Sequence, residues 1–542
     1  MKFIRLLLAE AGLDEWRLVG SVVAAGAAMA LMMSIVNSVA DLKPGMGIDW
    51  GQLLLFALSA VVVLSMEVYS LNLTAALSER MIGRTRGRLA DLVRRSELDG
   101  LERIGAVRVY DTIARETTTI SNSAEMIILS AISSIALIFA AFYIAFISLM
   151  AFIVVATLLG AWAYFYHVSQ RSARGALMEA KAAETRYFEL MSHMLNGFKE
   201  IKLHQARGDN LEKVHLAIAS REAEYRTVLA TRQFGKGLAV SFTTFYILLG
   251  SVVFALPQHL GDVRTAMKIV YVVIFMYTAA EATARSLPVL AKVDLAIDRI
   301  EELEATLLRA ARDVPEAAEA TMPAAFDSIV LDGIVYSYRT QDGTRTFSVG
   351  PCDLTLLRGQ MVFIVGNNGS GKSTLMRVLT RLYAPAAGAI LWDGALVEDD
   401  NVTRYRGLFS AVFADFHLFD RLYGMEGVDP ERVRGLLADV GLGEKVRYED
   451  GGFDTVALST GQRKRLALVV ALLEDRPIYV LDELSADQDP EFRRRYYEEF
   501  LPMLKARGKT LIVVSHDDRY FHLADRVIAM EDGHFKGEVR SP

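Results

Sequence analysis

Nine consecutive residues, Gly366, Asn367, Asn368, Gly369, Ser370, Gly371, Lys372, Ser373 and Thr374, fit the spacing G-x-x-x-x-G-K-[ST]. Glycines at this spacing let a backbone close around phosphate oxygens, with its N–H groups as ligands. Lys372 can reach β- and γ-phosphates, and the Ser373 hydroxyl can ligate Mg²⁺. Farther along, Ile478-Tyr-Val-Leu-Asp-Glu483 is an apolar run ending in two carboxylates. Asp482 is placed to hold Mg²⁺, directly or through water. Glu483 is placed to orient or deprotonate an attacking water. These residue types in this order predict nucleotide binding and phosphoryl transfer to water.

Such groups must be held by a rigid frame. Residues 361–365 read as a strand and 375–382 as the start of a helix, which is the context a phosphate loop requires. From about Phe326 onward, short β-rich runs such as 361–365, 477–481 and 510–514 alternate with helical patterns. Strands of this kind predict a parallel sheet buried on both faces.

The first 290 residues are different. Across 542 residues the chain is 52% hydrophobic and only 23% charged. Its mean hydropathy is +0.27, so the charge must be segregated and the class is membrane protein. Runs 18–39, 53–77, 238–256 and 269–290 each approach the ~20 residues that span a bilayer. Between 126 and 166 the chain is apolar for about two spans with almost no loop, which predicts a tight helical hairpin and six helices in all. Arginines 80, 84, 86, 88, 94, 95, 103 and 108 follow the second span, and 171–236 is also basic. The opposite loops carry little beyond Lys43 and Arg264. By the basic-loop rule both basic segments and both termini face the cytoplasm. Both segments read as extensions of the membrane helices; soluble inserts are the alternative.

The N-terminal stretch 1–17 lacks a small-residue cleavage site and reads as an amphipathic helix on the cytosolic membrane face. Residues 309–325, rich in Ala, Glu and Pro, read as a linker. Cys352 is the only cysteine, which excludes an intrachain disulfide and a multi-cysteine metal site. A net charge of −6 argues against a nucleic-acid partner.

With these motifs in hand, residues 326–542 resemble an ABC ATPase domain, and the first half resembles the six-helix exporter domain. The resemblance implies a membrane all-α six-helix ABC exporter domain (type IV-like) fused to an α/β P-loop ABC ATPase domain. The expected division is 1–300 membrane domain with long cytosolic helix extensions, 301–325 linker and 326–542 ATPase. By that likeness Tyr338 stacks on adenine. Ser459, Thr460, Gly461 and Gln462 match the signature that binds the γ-phosphate of ATP held by a partner chain. Ser485-Ala-Asp-Gln-Asp489 occupies the dimer-contact loop, and His516 matches the switch histidine that contacts the γ-phosphate. Each motif occurs once, so the working unit is expected to be a homodimer in a bilayer, with ATP and Mg²⁺ as cofactors. Coupling to the membrane half is expected through loops near 105–110 and 208–214.

Two positions depart from the family. The usual Q-loop glutamine, a Mg²⁺ and water ligand, aligns with Ala414. Either Asp415 supplies the oxygen or the ligand is absent. The signature carries Thr460 where most relatives have glycine. Leu458-Ser-Thr-Gly-Gln-Arg-Lys-Arg465 and Leu481-Asp-Glu-Leu-Ser-Ala-Asp-Gln-Asp-Pro490 resemble the branch of cyclic-peptide, microcin and siderophore-peptide exporters. That likeness implies peptide export across a bacterial inner membrane; a lipid or multidrug exporter is the alternative.

For the cargo path, Glu67 lies near the middle of the second span. Glu281 and Arg285 lie in the sixth at a spacing that allows pairing. Charges at membrane depth face a cavity or each other. Tyr69, Tyr143, Tyr271 and Tyr277 could line an amphipathic chamber; interface packing is the alternative.

Overall fold

In lipid every backbone polar group must be satisfied within the chain, so long apolar runs become helices. In the computed structural model, which describes residues 2–39, 49–255, 263–311, 326–339, 345–425 and 427–539, six helices are long and apolar enough to cross a membrane. The loop carrying Lys43 and linker positions 312–325 lie outside the described residues. Contacts divide the chain into two units: Met1–Arg86 with Asp111–Glu301, and Gly87–Tyr110 with Glu302–Pro542.

The first unit is helical. Helix α1 (Lys2–Ala11) leads into α2 (Glu15–Val39) and α3 (Trp50–Arg95). A short α4 (Leu98–Ile104) belongs to the second unit. Then come α5 (Ala106–Ile147) and α6 (Leu149–Asn196). Only Ser148 separates α5 from α6; its hydroxyl accepts from the Ala151 N–H and caps α6, satisfying one of the free N–H groups of a helix start. Two short helices, α7 (Phe198–Leu203) and α8 (Gln205–Asn210), precede α9 (Ala217–Gly250) and α10 (Val263–Ala310), which carries Pro288 inside it. The apolar face of α1 is held within the chain: Phe3 and Leu7 are buried. Lys2 bonds Asp298 and Glu301 of α10 at 2.5 and 2.6 Å.

The second unit is built on two sheets. Strands β1 (Ser328–Arg339), β2 (Arg345–Leu357), β4 (Ala387–Trp392) and β5 (Ala395–Leu396) form an antiparallel sheet in the order β2-β1-β4-β5, with β3 (Met361–Val365) intervening in sequence. The main sheet also uses β6 (Phe409–Val412), and after a small hairpin of β7 (Tyr448–Glu449) and β8 (Gly452–Phe453), β9 (Ile478–Asp482), β10 (Thr510–Val514), β11 (Arg526–Glu531) and β12 (His534–Val539). Its order is β12-β11-β3-β10-β9-β6, parallel except for β12. Successive side chains of a strand point to opposite faces, so the uninterrupted apolar runs feed two cores. Phe363, Leu481 and Val513 join one; Ile364, Val480 and Val514 join the other. The chemistry sits where these buried strands end.

Within this unit α4 docks on the ATPase core. Glu97 accepts from Arg406 at 2.7 Å, the Tyr336 hydroxyl donates to Asp99 at 3.2 Å, and the Tyr383 hydroxyl donates to Glu102 at 2.6 Å. Leu98 packs on the same core. The expected coupling segment near 105–110 lies just beyond this docked stretch, at the start of α5. Three acids on one short helix meet two tyrosines and an arginine, a complementarity that alignment alone does not show.

Candidate active site

The phosphate loop connects β3 to helix α11 (Lys372–Leu379). Gly366 has φ +153°, and a Cβ there would lie 2.1 Å from the Met530 carbonyl oxygen. No other residue fits, and the loop is thereby held against β11. Lys372 is buried and donates to the carbonyls of Gly366 and Asn367, both at 2.9 Å. Burial pulls its ammonium below the usual lysine range, opposed by the nearby Glu483 and Asp482 charges. Lys372 thus curls back over its own loop, a position from which an incoming phosphate can draw it.

Asp482 ends β9 and is buried, with both carboxylate oxygens out of full hydrogen-bond geometry. Burial raises its carboxyl above the usual range and the Glu483 charge adds to this; the Ser373 hydroxyl, the Ala414 N–H and Lys372 act the other way. Two buried, under-satisfied carboxylate oxygens beside a serine hydroxyl form a donor set of hard oxygens. That set fits a divalent cation such as Mg²⁺.

Glu483 follows with φ +51°, a left-handed conformation that costs a non-glycine residue on the order of 1–3 kcal/mol and marks functional turns. Its Oε1 lies 3.1 Å from the Nε2 of His516, which follows β10. Both sit on a cavity of about 300 Å³ that Arg493 and Arg519 also line. A carboxylate hydrogen-bonded to an imidazole at the open end of a parallel sheet can take a proton from water and keep its orientation.

Tyr338 is half-buried, with its hydroxyl 3.1 Å from Thr374 Oγ1. Its ring meets Tyr336 and Tyr383 edge-on at 5.2 and 6.0 Å, and those two stack on each other at 4.7 Å. The adenine-stacking candidate is thus joined to the phosphate-loop helix and to the tyrosines that bind α4.

Asp415 is placed differently from its expected role as a metal ligand. Its carboxylate accepts from Arg377 of α11 at 2.5 Å, and Arg377 also donates to the Tyr383 hydroxyl at 2.9 Å. Of the two alternatives, Asp415 supplying the Q-loop oxygen or that ligand being absent, the pairing with Arg377 favours the second. Asp415, Arg377, Tyr383 and Glu102 form a continuous polar chain. Sequence reasoning missed Arg377, Tyr383 and Glu102, because nothing in local spacing ties 102 to 383 or 377 to 415.

The signature opens helix α14, the fourteenth in chain order after α12 (Val402–Arg406) and α13 (Pro430–Asp439); α14 spans Thr460–Glu474. Ser459 is its N-cap, and Ser459 and Gln462 form a reciprocal capping box. Thr460 is its first residue. A Cβ on Gly461 would lie 2.6 Å from the Asp487 carbonyl oxygen, and the Gly461 carbonyl accepts from Gln488 at 3.0 Å. The signature is thus welded to the loop after Glu483. The structure brings Lys372, Ser373, Asp482, Glu483 and His516 into one site and places Ser459, Thr460, Gly461 and Gln462 in another.

Among the cargo-path candidates, Glu281 and Arg285 pair at 2.7 Å. Glu67 is half-buried and Tyr69 exposed on α3. Tyr143 accepts from the buried Asn37 at 3.1 Å. Tyr277 is buried, 4.0 Å from the Phe245 ring and 6.1 Å from Trp162, the arrangement of the packing alternative. Tyr271 does line a cavity, about 440 Å³, with Met29, Met33, Phe56 and Phe275.

Comparison with known proteins places this geometry. A family model described as ABC transporter matches residues 349–486. The ATP-binding protein SyrD of Pseudomonas syringae pv. syringae is 34% identical over 477 residues, 86% of this chain and 84% of that protein. The ATP-dependent lipid A-core flippase of Chromohalobacter salexigens is 29% identical over 364 residues, 63% of this chain and 60% of the flippase. A solved structure of a bacterial Atm1-family ABC exporter with ATP bound superimposes with a TM-score of 0.75 at 17% identity, covering 98% of this chain and 96% of that one.

Proposed function

The chain belongs to the ABC transporter family, as an ATP-hydrolysing half-exporter, and from that premise we propose that two copies assemble in a bacterial inner membrane to export a peptide of cyclic, lasso or siderophore type. The proposed division is a membrane domain over 1–300, a linker over 301–325 and an ATPase over 326–542, with the first ten linker residues continuing α10 and 87–110 grouped by contacts with the ATPase. Each of two ATP sites pairs the phosphate loop of one copy with Ser459, Thr460, Gly461 and Gln462 of the other.

The observation that carries the catalytic reading is the Glu483–His516 contact of 3.1 Å. With ATP held by Gly366, Asn367, Asn368, Gly369, Ser370, Gly371, Lys372 and Thr374, and with Tyr338 against adenine, Glu483 accepts a proton from water. The water oxygen bonds the γ-phosphorus as the bond to the β–γ bridging oxygen breaks. His516 holds the carboxylate and contacts the γ-phosphate. Ser373 and Asp482 would hold Mg²⁺, which when bound neutralises charge on the phosphate oxygens. Asp415 stays with Arg377.

The peptide assignment rests on the branch-like strings around Ser459 and Glu483. A lipid substrate is the second reading; the likeness to the flippases and the apolar cavity beside Tyr271 favour it. Uptake into inverted vesicles and substrate-stimulated ATPase, run against cyclic, lasso and siderophore peptides beside lipids, tests the choice. Stimulation and uptake with peptides alone support the proposal; stimulation by lipids alone overturns it.

A further inference from the structure

A buried cation sits between the two functional segments of the ATPase, and the mechanism above does not use it. Lys464, in the second turn of α14, is almost fully buried. It donates to the Glu483 carbonyl at 3.0 Å, the Ala486 carbonyl at 3.2 Å and the Asp487 carboxylate at 3.2 Å. All three hydrogens of the ammonium are therefore used within one turn.

That turn is strained. Glu483 and Asp487 have φ of +51° and +62°. Side chains rarely occupy this region, and it persists only where surrounding structure over-determines it. Other ties share the segment: the Glu483 N–H reaches Val514 at 3.2 Å, the Ala486 N–H returns to the Glu483 carbonyl at 3.2 Å, the Ser485 hydroxyl meets that of Tyr497 at 2.9 Å, and Leu484 is buried in the core; Lys464 alone joins the turn to the signature helix by an ammonium. The neighbouring Arg465 donates to Gln488 at 2.9 Å and pairs with Asp489. Residues 461–465 and 483–489 form one block.

The geometry points to Lys464 as a positioning residue that sets Glu483 at the ATP of its own copy while fixing the signature that closes over the ATP of the other. This rests on the shared-site reading above. A displacement of the signature by the partner's nucleotide is carried by α14 to Lys464, and through three hydrogen bonds to the backbone of Glu483. The two hydrolysis events are then linked through a single side chain.

The test uses the full-length protein in lipid nanodiscs, with Glu483→Gln as reference. Lys464→Met is expected to lower kcat at least about tenfold, leave the ATP KM within about twofold, and move the Hill coefficient for ATP toward one. Lys464→Arg should recover part of both kcat and cooperativity. A kcat and Hill coefficient like the wild type in Lys464→Met overturns the proposal. So does a raised KM with unchanged cooperativity, the mark of a merely structural part. If Lys464→Met does not fold, Asp487→Asn removes one of the three acceptors; it should show the same split to a smaller degree, and wild-type kinetics there overturn the proposal. A Hill coefficient of one in the wild type would remove the shared-site reading itself, and undiminished turnover in Glu483→Gln would place the base elsewhere; both failures are distinct from that of Lys464.

Discussion

The nucleotide-binding unit and the membrane unit bury their apolar residues in opposite ways. Every residue of β9 and β10 is buried, and the strands divide two cores between them. In the membrane unit, only 11% of the most apolar stretch of α3 and 7% of that in the span through α9 are buried, against 44% in α10. The ATPase fold closes on its own chain. The spans leave their apolar surface for something else to cover, lipid or a second copy, because a bilayer offers no hydrophobic penalty for an exposed leucine. Precise chemistry needs the first arrangement; a path that must open and shut is served by the second.

This contrast can be broken most sharply at Glu483. Glu483→Gln should lower steady-state ATPase by about 10²–10⁴-fold while ATP binding survives; turnover like the wild type would place the base elsewhere. Tyr338→Ala should weaken ATP binding by about 1–3 kcal/mol, the worth of one base on one aromatic ring, with kcat changing less than KM; titration with a fluorescent nucleotide measures it. Glu97→Ala removes the carboxylate that accepts from Arg406 and should loosen α4 by about 1.5–3 kcal/mol. Uptake should then fall more than ATPase, and equal loss of both would show that α4 does not couple them.

Smaller effects sharpen the comparison. Asp415→Asn should leave the Mg²⁺ concentration for half-maximal ATPase unchanged, since Arg377 holds that carboxylate, while Ala414→Gln should lower it by restoring an oxygen. A shift in Asp415→Asn would return it to the metal. In the membrane unit Glu281→Gln breaks a half-exposed pair and should alter stability by about 0.2–1 kcal/mol, with ATPase unmoved. Glu67→Gln lies at membrane depth without a described ion-pair partner and should change peptide-stimulated ATPase more than Glu281→Gln does. Equal response would remove Glu67 from the path.

The sequence showed what depends on short spacing. The phosphate loop, the Asp482–Glu483 pair, the six spans and a tight hairpin within 126–166 follow from runs of residues whose geometry is set locally. Contacts that depend on how elements pack were not legible. That Asp415 pairs with Arg377 depends on α11 bringing a guanidinium beside it, and that Tyr277 takes the packing alternative depends on Phe245 and Trp162 meeting its ring. The docking of 97–102 was not legible, because its signal lies in distant tyrosines and an arginine. Lys464 stood inside a quoted string, yet only the fold shows that its ammonium reaches the strained turn.

The docking of α4 has a practical consequence for dividing the protein. By contacts, residues 87–110 belong with the ATPase although the membrane half encodes them. An excised fragment beginning at Phe326 would lack Glu97, Asp99, Glu102 and Leu98. It would present Tyr336, Tyr383 and Arg406 to solvent as an uncapped aromatic and basic patch. Such a fragment should self-associate more readily than the intact chain and respond to acidic additives. Kinetics measured on it would describe an ATPase stripped of part of its own packed unit.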